Sequence, residues 1–399
     1  MTTASASAAQ IRYKVETVEG TIPSGNPQKY RVTKESLNQS IESSGSQELR
    51  SDRQMSDSTL VSGSVGGALE WEFSFKTHDE FLEALLASTW VTGGTNGVTA
   101  VTGITMTTGT NIISGTGMPV YAKGQWFLIT GHSVPALNGI YKCSDSVAPT
   151  ATSIAVDPAV KAIASTSATQ AFSMSSSRLK NGTSTLKTFS IEKEFSDVVQ
   201  FFMMTGAVVK SAKLNFATGS PVSGSFDFMG RTMARTNVSG FPGVATTVAA
   251  TTTPLINTVN ATKVLLDGVS VSDSCAESFD ITIDTGAKER RCLGSGIGLA
   301  GITPGSFDIK GSINIYFGAA SSAAVYDKMV TDQPISFAIS CVDANNNGYA
   351  LTIERAKIVS STVVAGGINT DVMMALEFSA TIGTNSGAML CIDRLGSIA

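Results

Sequence analysis

Few side chains in this 399-residue chain combine a reactive type with a reactive spacing. His78, Asp79 and Glu80 are adjacent and could form a metal or acid–base cluster. Thr77 and Glu80 also stand in the Thr-x-x-Glu arrangement that caps a helix start, and capping is the expected role. Gly296-Ile297-Gly298-Leu299-Ala300-Gly301 spells G-x-G-x-x-G, but Thr303-Pro304-Gly305 follows where a dinucleotide fold needs a helix facing the pyrophosphate. No nucleotide site is expected there. His132 is the only other histidine, and no serine lies in a G-x-S-x-G elbow. Cys143, Cys275, Cys292, Cys341 and Cys391 are odd in number and lack a C-x-x-C pair, which argues against a disulfide framework and a zinc site. They are expected to be reduced core or strand thiols made in a cytoplasm. No catalytic, cofactor-binding or metal-binding residue is expected, and the chain is not expected to be an enzyme.

The composition describes what must position the remaining residues. With 42% hydrophobic and 15% charged residues, the chain is apolar enough to fold and too hydrophobic for general disorder. Thr, Ser, Gly, Val and Ala dominate and long Leu/Glu/Lys blocks are scarce, so the fold should be mainly β. A net charge of -4 without a run of like charges leaves no footprint for gripping nucleic acid or anionic membrane. Residues 1–10 carry neither a cationic nor an apolar leader region, and no apolar stretch is long enough to span a bilayer.

Residues 65–75 alternate, with Val65, Leu69, Trp71, Phe73 and Phe75 on one parity and Glu70, Glu72 and Ser74 on the other, as in a half-buried strand. A short helix should follow over 77–88, where Phe81, Leu82, Leu85 and Leu86 fall at helical spacing and would cover the sheet. The same order recurs. Phe307, Ile309, Ile313, Ile315 and Phe317 alternate, and a weaker helix signal covers 321–329. Sliding the chain by 242 residues places 35–75 on 277–317 without a gap, and a slide of 150 places 211–228 on 361–378, so that Asp227 meets Glu377. The falling offset assigns 92 extra residues to the first copy. A Thr/Gly/Ala/Ser-rich stretch with short strands at 125–129 and 139–143 fits an inserted small β-barrel or sandwich. The expected plan is therefore a first β-domain from 10–91 with 173–240, an insert over 92–172, a linker over 241–254, and a second, related β-domain over 255–399.

Arg12-Tyr13 through Gly20-Thr21-Ile22-Pro23, Ser46-Gln47-Glu48-Leu49-Arg50-Ser51-Asp52-Arg53-Gln54, and Val65-Gly66-Gly67 leading into strand and helix resemble the tail tube proteins of long-tailed bacteriophages. The resemblance resumes at Lys180-Asn181-Gly182-Thr183, at 189–195, and from Thr205-Gly206-Ala207 to 222–230. The insert, through Gly124-Gln125-Trp126 and Asn138-Gly139-Ile140-Tyr141, is similar to a small domain that interrupts some members. It implies two tail-tube β-sandwich domains, each with a flanking short α-helix, assembled into rings that stack as a tube for the viral genome. It also implies tape measure, terminator and tail-tip proteins as partners, and a place in the virion tail after synthesis in the bacterial cytoplasm. Where single-copy members build six-fold rings, a two-copy chain should need three subunits for a pseudo-six-fold ring.

In such a ring each sheet edge pairs with the next subunit until the circle closes. Strands 68–75, 222–230, 307–317 and 372–380 are the expected wall, with Glu70, Glu72, Asp227, Asp308 and Glu377 facing the lumen alongside Ser74, Ser223, Ser225, Ser312 and Asn314. Lys310 is the one cation in that set. A bore short of Lys and Arg should let double-stranded DNA slide without tight binding. The polar arm over 43–59, with Glu48, Arg50, Asp52, Arg53 and Asp57, is expected to contact successive rings and set their register. The alternatives are another structural β-protein of a virion or cell surface, and a carbohydrate-binding insert that stacks sugars on Trp126 and Tyr141.

Overall fold

The structure, a computed structural model, describes all residues except 1–2, 93–96, 184–185, 243–245, 261–262, 272–274, 295, 319–320 and 397–399. Eight strands dominate it: β1 (Asn38–Gly45), β2 (Ser58–Glu72), β3 (Gln200–Ala217), β4 (Ser223–Gly230), β5 (Ala276–Asp284), β6 (Asp308–Tyr316), β7 (Gly348–Val364) and β8 (Met373–Thr381). All pair antiparallel, in the order β1-β2-β4-β3-β5-β6-β8-β7. The first four and the last four repeat one topology. The last strand of the first set, β3, pairs with the first strand of the second, β5.

The repeat extends to details that neither hydrophobicity nor identity encodes. β3 bulges between Val209 and Ser211 and β7 between Ile358 and Ser360, in the same relation to their partners β4 and β8. Before its bulge each long strand pairs on its other side with a shorter one, Phe189–Phe195 against β3 and Ile335–Val342 against β7. The helix α1 (Asp79–Leu85) packs on β3, and α2 (Ser321–Val330) packs on β7.

These landmarks correct the sequence offsets. Matched bulges relate β3 to β7 by 149 residues, and facing partners then relate β4 to β8 by 150 and β1–β2 to β5–β6 by 244. Trp71 thus corresponds to Ile315, two residues from its expected match. A strand slipped by two keeps every side chain on its own face, so alternation alone does not detect the slip.

One hydrophobic core runs through both repeats. Leu69, Trp71, Phe73, Phe81, Leu82, Phe226 and Phe228 merge with Ile281, Ile309, Ile313, Ile315, Leu376 and Phe378. Strand parity and the helical stripe explain this directly, since both turn one apolar face to the same interior. Thr77 does not cap α1. The N-cap is His78, whose side chain makes no cap bond, while the Thr77 hydroxyl bonds Ser74 at 2.6 Å and Thr251 at 2.5 Å. The expected linker is pinned where it is described: Lys29 N donates to Val248 O at 3.0 Å, and Thr253 Oγ1 to Phe75 O at 2.9 Å.

A separate six-stranded sheet is built from Val98–Thr107, Ile112–Ser114, Trp126–Thr130, Gly139–Lys142, Ser153–Ala155 and Gln170–Ser175. Its own core holds Ile104, Phe127, Tyr141 and Phe172. The alternate residues Trp126 and Leu128 turn the other way and pack on Leu265, Ala338, Val342 and Leu395 of the second repeat. Among the cysteines, Cys143, Cys341 and Cys391 are buried, whereas Cys275 and Cys292 are exposed and so depart from the expected core position.

Candidate functional site: a polar face and two open sheet edges

The strands β2 to β8 each turn an apolar parity to the core, which leaves the other parity as one continuous face, while β1 has no buried residue. Facing residues of antiparallel neighbours share a face. One row therefore runs Glu72, Ser223, Asn215, Asp280, Ser312, Glu377 and Ser360 across seven strands. Another joins Lys34, Glu70, Ser225, Lys213, Thr282, Lys310, Ser379 and Lys357. A third joins Asp227, Ser211, Asp284 and Asp308.

The five acidic residues expected on this face, Glu70, Glu72, Asp227, Asp308 and Glu377, all lie in these rows. Ser74 does not. It follows the end of β2, where it is buried and bonded to Thr77. The sequence reading missed Asp280 and Asp284, and also Lys34, Lys213 and Lys357. Their signal was present in the alternation of 279–284 and 212–216, where Phe279, Ile281, Ile283, Ala212, Leu214 and Phe216 are all buried.

Seven carboxylates and four lysines occupy the rows, and most of the lysines are matched. Lys34 meets Glu70 at 2.9 Å, Lys310 meets Asp308 at 2.6 Å, and Lys357 meets Asp332 beside the sheet at 2.9 Å. The repeats also share a polar contact: Ser211 Oγ donates to Asp227 at 2.9 Å, and its counterpart Ser360 Oγ donates to Glu377 at 2.9 Å. The face is polar, net acidic, and internally compensated.

The two outermost strands bear the other feature. Among the described residues, β1 pairs only with β2. Beyond its bulge β7 pairs, among the described residues, only with β8, so the side on which β3 receives β5 stays open. The exposed apolar residues Ile41, Val359, Val363 and Val364 lie along these two edges. At the internal β3–β5 junction the counterparts of Ile41 and Val363 are Thr285 and Leu214, which are both buried.

The remaining candidates are structural. His78 is buried; its Nδ1 accepts from the Tyr30 hydroxyl at 2.6 Å and its Nε2 donates to Glu72 O at 3.2 Å. Burial pushes its pKa down to about 3. Asp79 accepts from the Tyr349 hydroxyl at 2.5 Å and pairs with Arg394, tying α1 to the second repeat. Its pKa is raised, because burial outweighs the attraction of Arg394. Asp393 is fully buried, with Arg178 donating to both its oxygens at 2.6 and 2.7 Å and Trp126 N donating at 2.9 Å. Trp126 and Tyr141 are themselves fully buried, so neither offers a face for a sugar to stack on. Arg50 and Asp52 of the arm pair with each other at 2.7 Å, while Glu48, Arg53 and Asp57 are exposed.

Among the described residues no group of His, Cys, Asp and Glu is arranged to hold a metal ion, and no helix is long and apolar enough to cross a membrane. The family model described as phage tail tube protein matches residues 6–381. Among solved structures, the chain is similar to the SPP1 tail tube determined by solid-state NMR and cryo-EM. That similarity has 15% identity and a TM-score of 0.21, and covers 46% of this chain and 76% of that one. Comparison with curated proteins returned no match.

Proposed function

Because the chain belongs to the phage tail tube protein family, we propose that its eight-stranded sheet is a segment of the tube wall and its polar face the lining of the bore. The carrying observation is the β3–β5 junction. The chain already joins one repeat to the next once, and its two open edges are the two halves of that same junction. Applying the repeat offsets, β7 of one chain receives β1 of the next, with Ser360 opposite Ser40, Thr362 opposite Asn38 and Val363 opposite Leu37. Ring closure then covers Ile41 and Val363, as Thr285 and Leu214 are covered at the β3–β5 junction, and leaves the eight-stranded sheet without a free edge.

Barrel geometry supports this. Ser211 faces Asp227 on one side and Asp284 on the other, whereas Glu377, the counterpart of Asp227, lies in the row of Asp280. Equivalent rows are therefore displaced by four residues for every four strands. A shear equal to the strand number tilts the strands by about 35°, within the range of closed barrels. Three chains would supply six repeats, and the backbone walls would then stand about 45 Å apart.

In this reading the chain's domains, 10–91 with 173–240 and 255–399, are successive wall segments, with 92–172 as a fixed insertion and 241–254 as the connection. The protein catalyses nothing. Its ring is a trimer with pseudo-six-fold symmetry; rings stack, and the tube joins the tape measure, terminator and tip proteins of a virion tail after synthesis in the host cytoplasm. The lining's lysines are largely paired with carboxylates, so a passing duplex finds few free cations with which to exchange its counterions, and it slides. Replacing Glu70, Glu72 and Asp227 with lysine should leave rings visible in electron micrographs and stall genome delivery. Unchanged infectivity would remove the lumen assignment.

A further inference from the structure

The hairpin arms that connect the first and second strands of each repeat match in length and register, yet only one of them is seated. Between the facing pairs Ser40–Ser64 and Asp284–Asp308 each arm holds 23 residues, 41–63 and 285–307. The offset of 244 converts the facing pairs Ser44–Thr59 and Gly45–Ser58 into Lys288–Thr303 and Glu289–Ile302, which also face each other. At the tips Leu49 and its counterpart Leu293 are both fully exposed. The arms part company at Leu299, which is 3% exposed, while its counterpart Met55 is 67% exposed.

Leu299 is buried because the arm of the second repeat lies on the first. Leu299 N donates to Arg231 O at 3.2 Å, and Arg231 Nε donates to Leu299 O at 3.2 Å. Gly298 permits this approach, since a Cβ there would stand 3.0 Å from Arg231 O and 2.9 Å from Thr232 Cγ2. Ile297 occupies the space above Gly63. The glycines of the G-x-G-x-x-G run thus serve a close contact between repeats.

The equivalent seat on the second repeat is at the end of β8, where the 150 offset converts Arg231 and Thr232 into Thr381 and Ile382. Ile382 is 64% exposed. The seated arm lies on the repeat preceding its own, and in a ring the repeat preceding the first one belongs to the neighbouring chain. We propose that the arm over 41–63 latches onto the adjacent chain of the same ring, with Met55 against Thr381 and Ile382. The charged tip from Glu48 to Arg53 extends past this seat and remains available to a successive ring. This latch rests on the sheet continuation proposed above, and the test separates the two.

In a chain carrying Cys275→Ser and Cys292→Ser, one variant adds Met55→Cys with Thr381→Cys, and another adds Asn38→Cys with Thr362→Cys to report the sheet junction. Facing positions in paired strands are close enough for oxidation to a disulfide. Isolated rings, oxidised and run on denaturing gels, should give covalent multimers from both pairs and none from either single cysteine of a pair. Multimers from the sheet pair but not from the Met55 pair would overturn the latch and leave the ring reading intact. Failure of both pairs would overturn both. A Met55–Thr381 link confined to single chains, or one that appears only in stacked tubes, would also overturn the latch.

Discussion

His78 is sandwiched beside Trp71, at 4.4 Å between ring centroids, and Phe73, at 5.5 Å, with both ring nitrogens engaged. The unfolded chain protonates this ring below about 6.5, while the folded one holds it neutral to about 3. In that window the unfolded state binds more protons, so this contribution to stability is present above the unfolded value and is lost as pH falls below it. Denaturant titrations at pH 7 and pH 5 should therefore show a larger loss for the native chain than for His78→Gln. Asp79 acts in the opposite direction, since its raised pKa adds stability on acidification, but both proteins carry it and the difference isolates His78. Equal losses would mean that the ring is accessible to protons in the folded chain. The buried pair Arg178–Asp393 makes a second residue-scale prediction. Arg178→Met strands a buried carboxylate and should cost about 3–5 kcal/mol, read as a lowered unfolding midpoint. Adding Asp393→Leu removes the stranded charge and should recover part of that loss, the remainder reflecting Trp126 N, which loses its acceptor.

Among the elements, those most legible in the sequence were the ones whose pattern has a single solution. Phe81, Leu82, Leu85 and Leu86 mark one stripe of a helix, and Trp71 and Phe73 mark one face of a strand; all six are buried. The repeat was legible in outline, but its register was not, because a period of two survives a slip of two and only bulges and cross-strand partners fix the match. The additional residue between β7 and β8, relative to β3 and β4, was hidden because 359–364, Val-Ser-Ser-Thr-Val-Val, carries no clear alternation that would expose a slip of one. Lys213, Asp280 and Asp284 went unassigned because the strands that carry them were not recognised as wall strands. The capping role of Thr77 failed for a different reason: tertiary partners Ser74 and Thr251 take its hydroxyl. The exposed Cys292 sits in an arm whose fold depends on contact with another repeat, which local sequence does not express.

At the scale of the whole molecule, the sheet holds one junction between its two repeats and one open edge at each end. The insert bridges the two repeats. It leaves from the first repeat and packs Trp126 and Leu128 on the second, and Asp393 gathers Arg178 and Trp126 at one point. Two repeats held at this relation are what the proposed ring would need in order to close. In the proposed ring the acidic, lysine-paired face would lie on one side of the wall throughout, and Ile41 and Val363 would be covered by neighbours. The central claim is that β7 of one chain continues into β1 of the next in the register of β3 and β5. A cryo-EM reconstruction of assembled tubes at side-chain resolution tests it most directly. Three chains per ring are expected, with Ser360 facing Ser40 and Thr362 facing Asn38 across every chain boundary. Six chains per ring, or boundaries at which β1 or β7 is left unpaired, would contradict it.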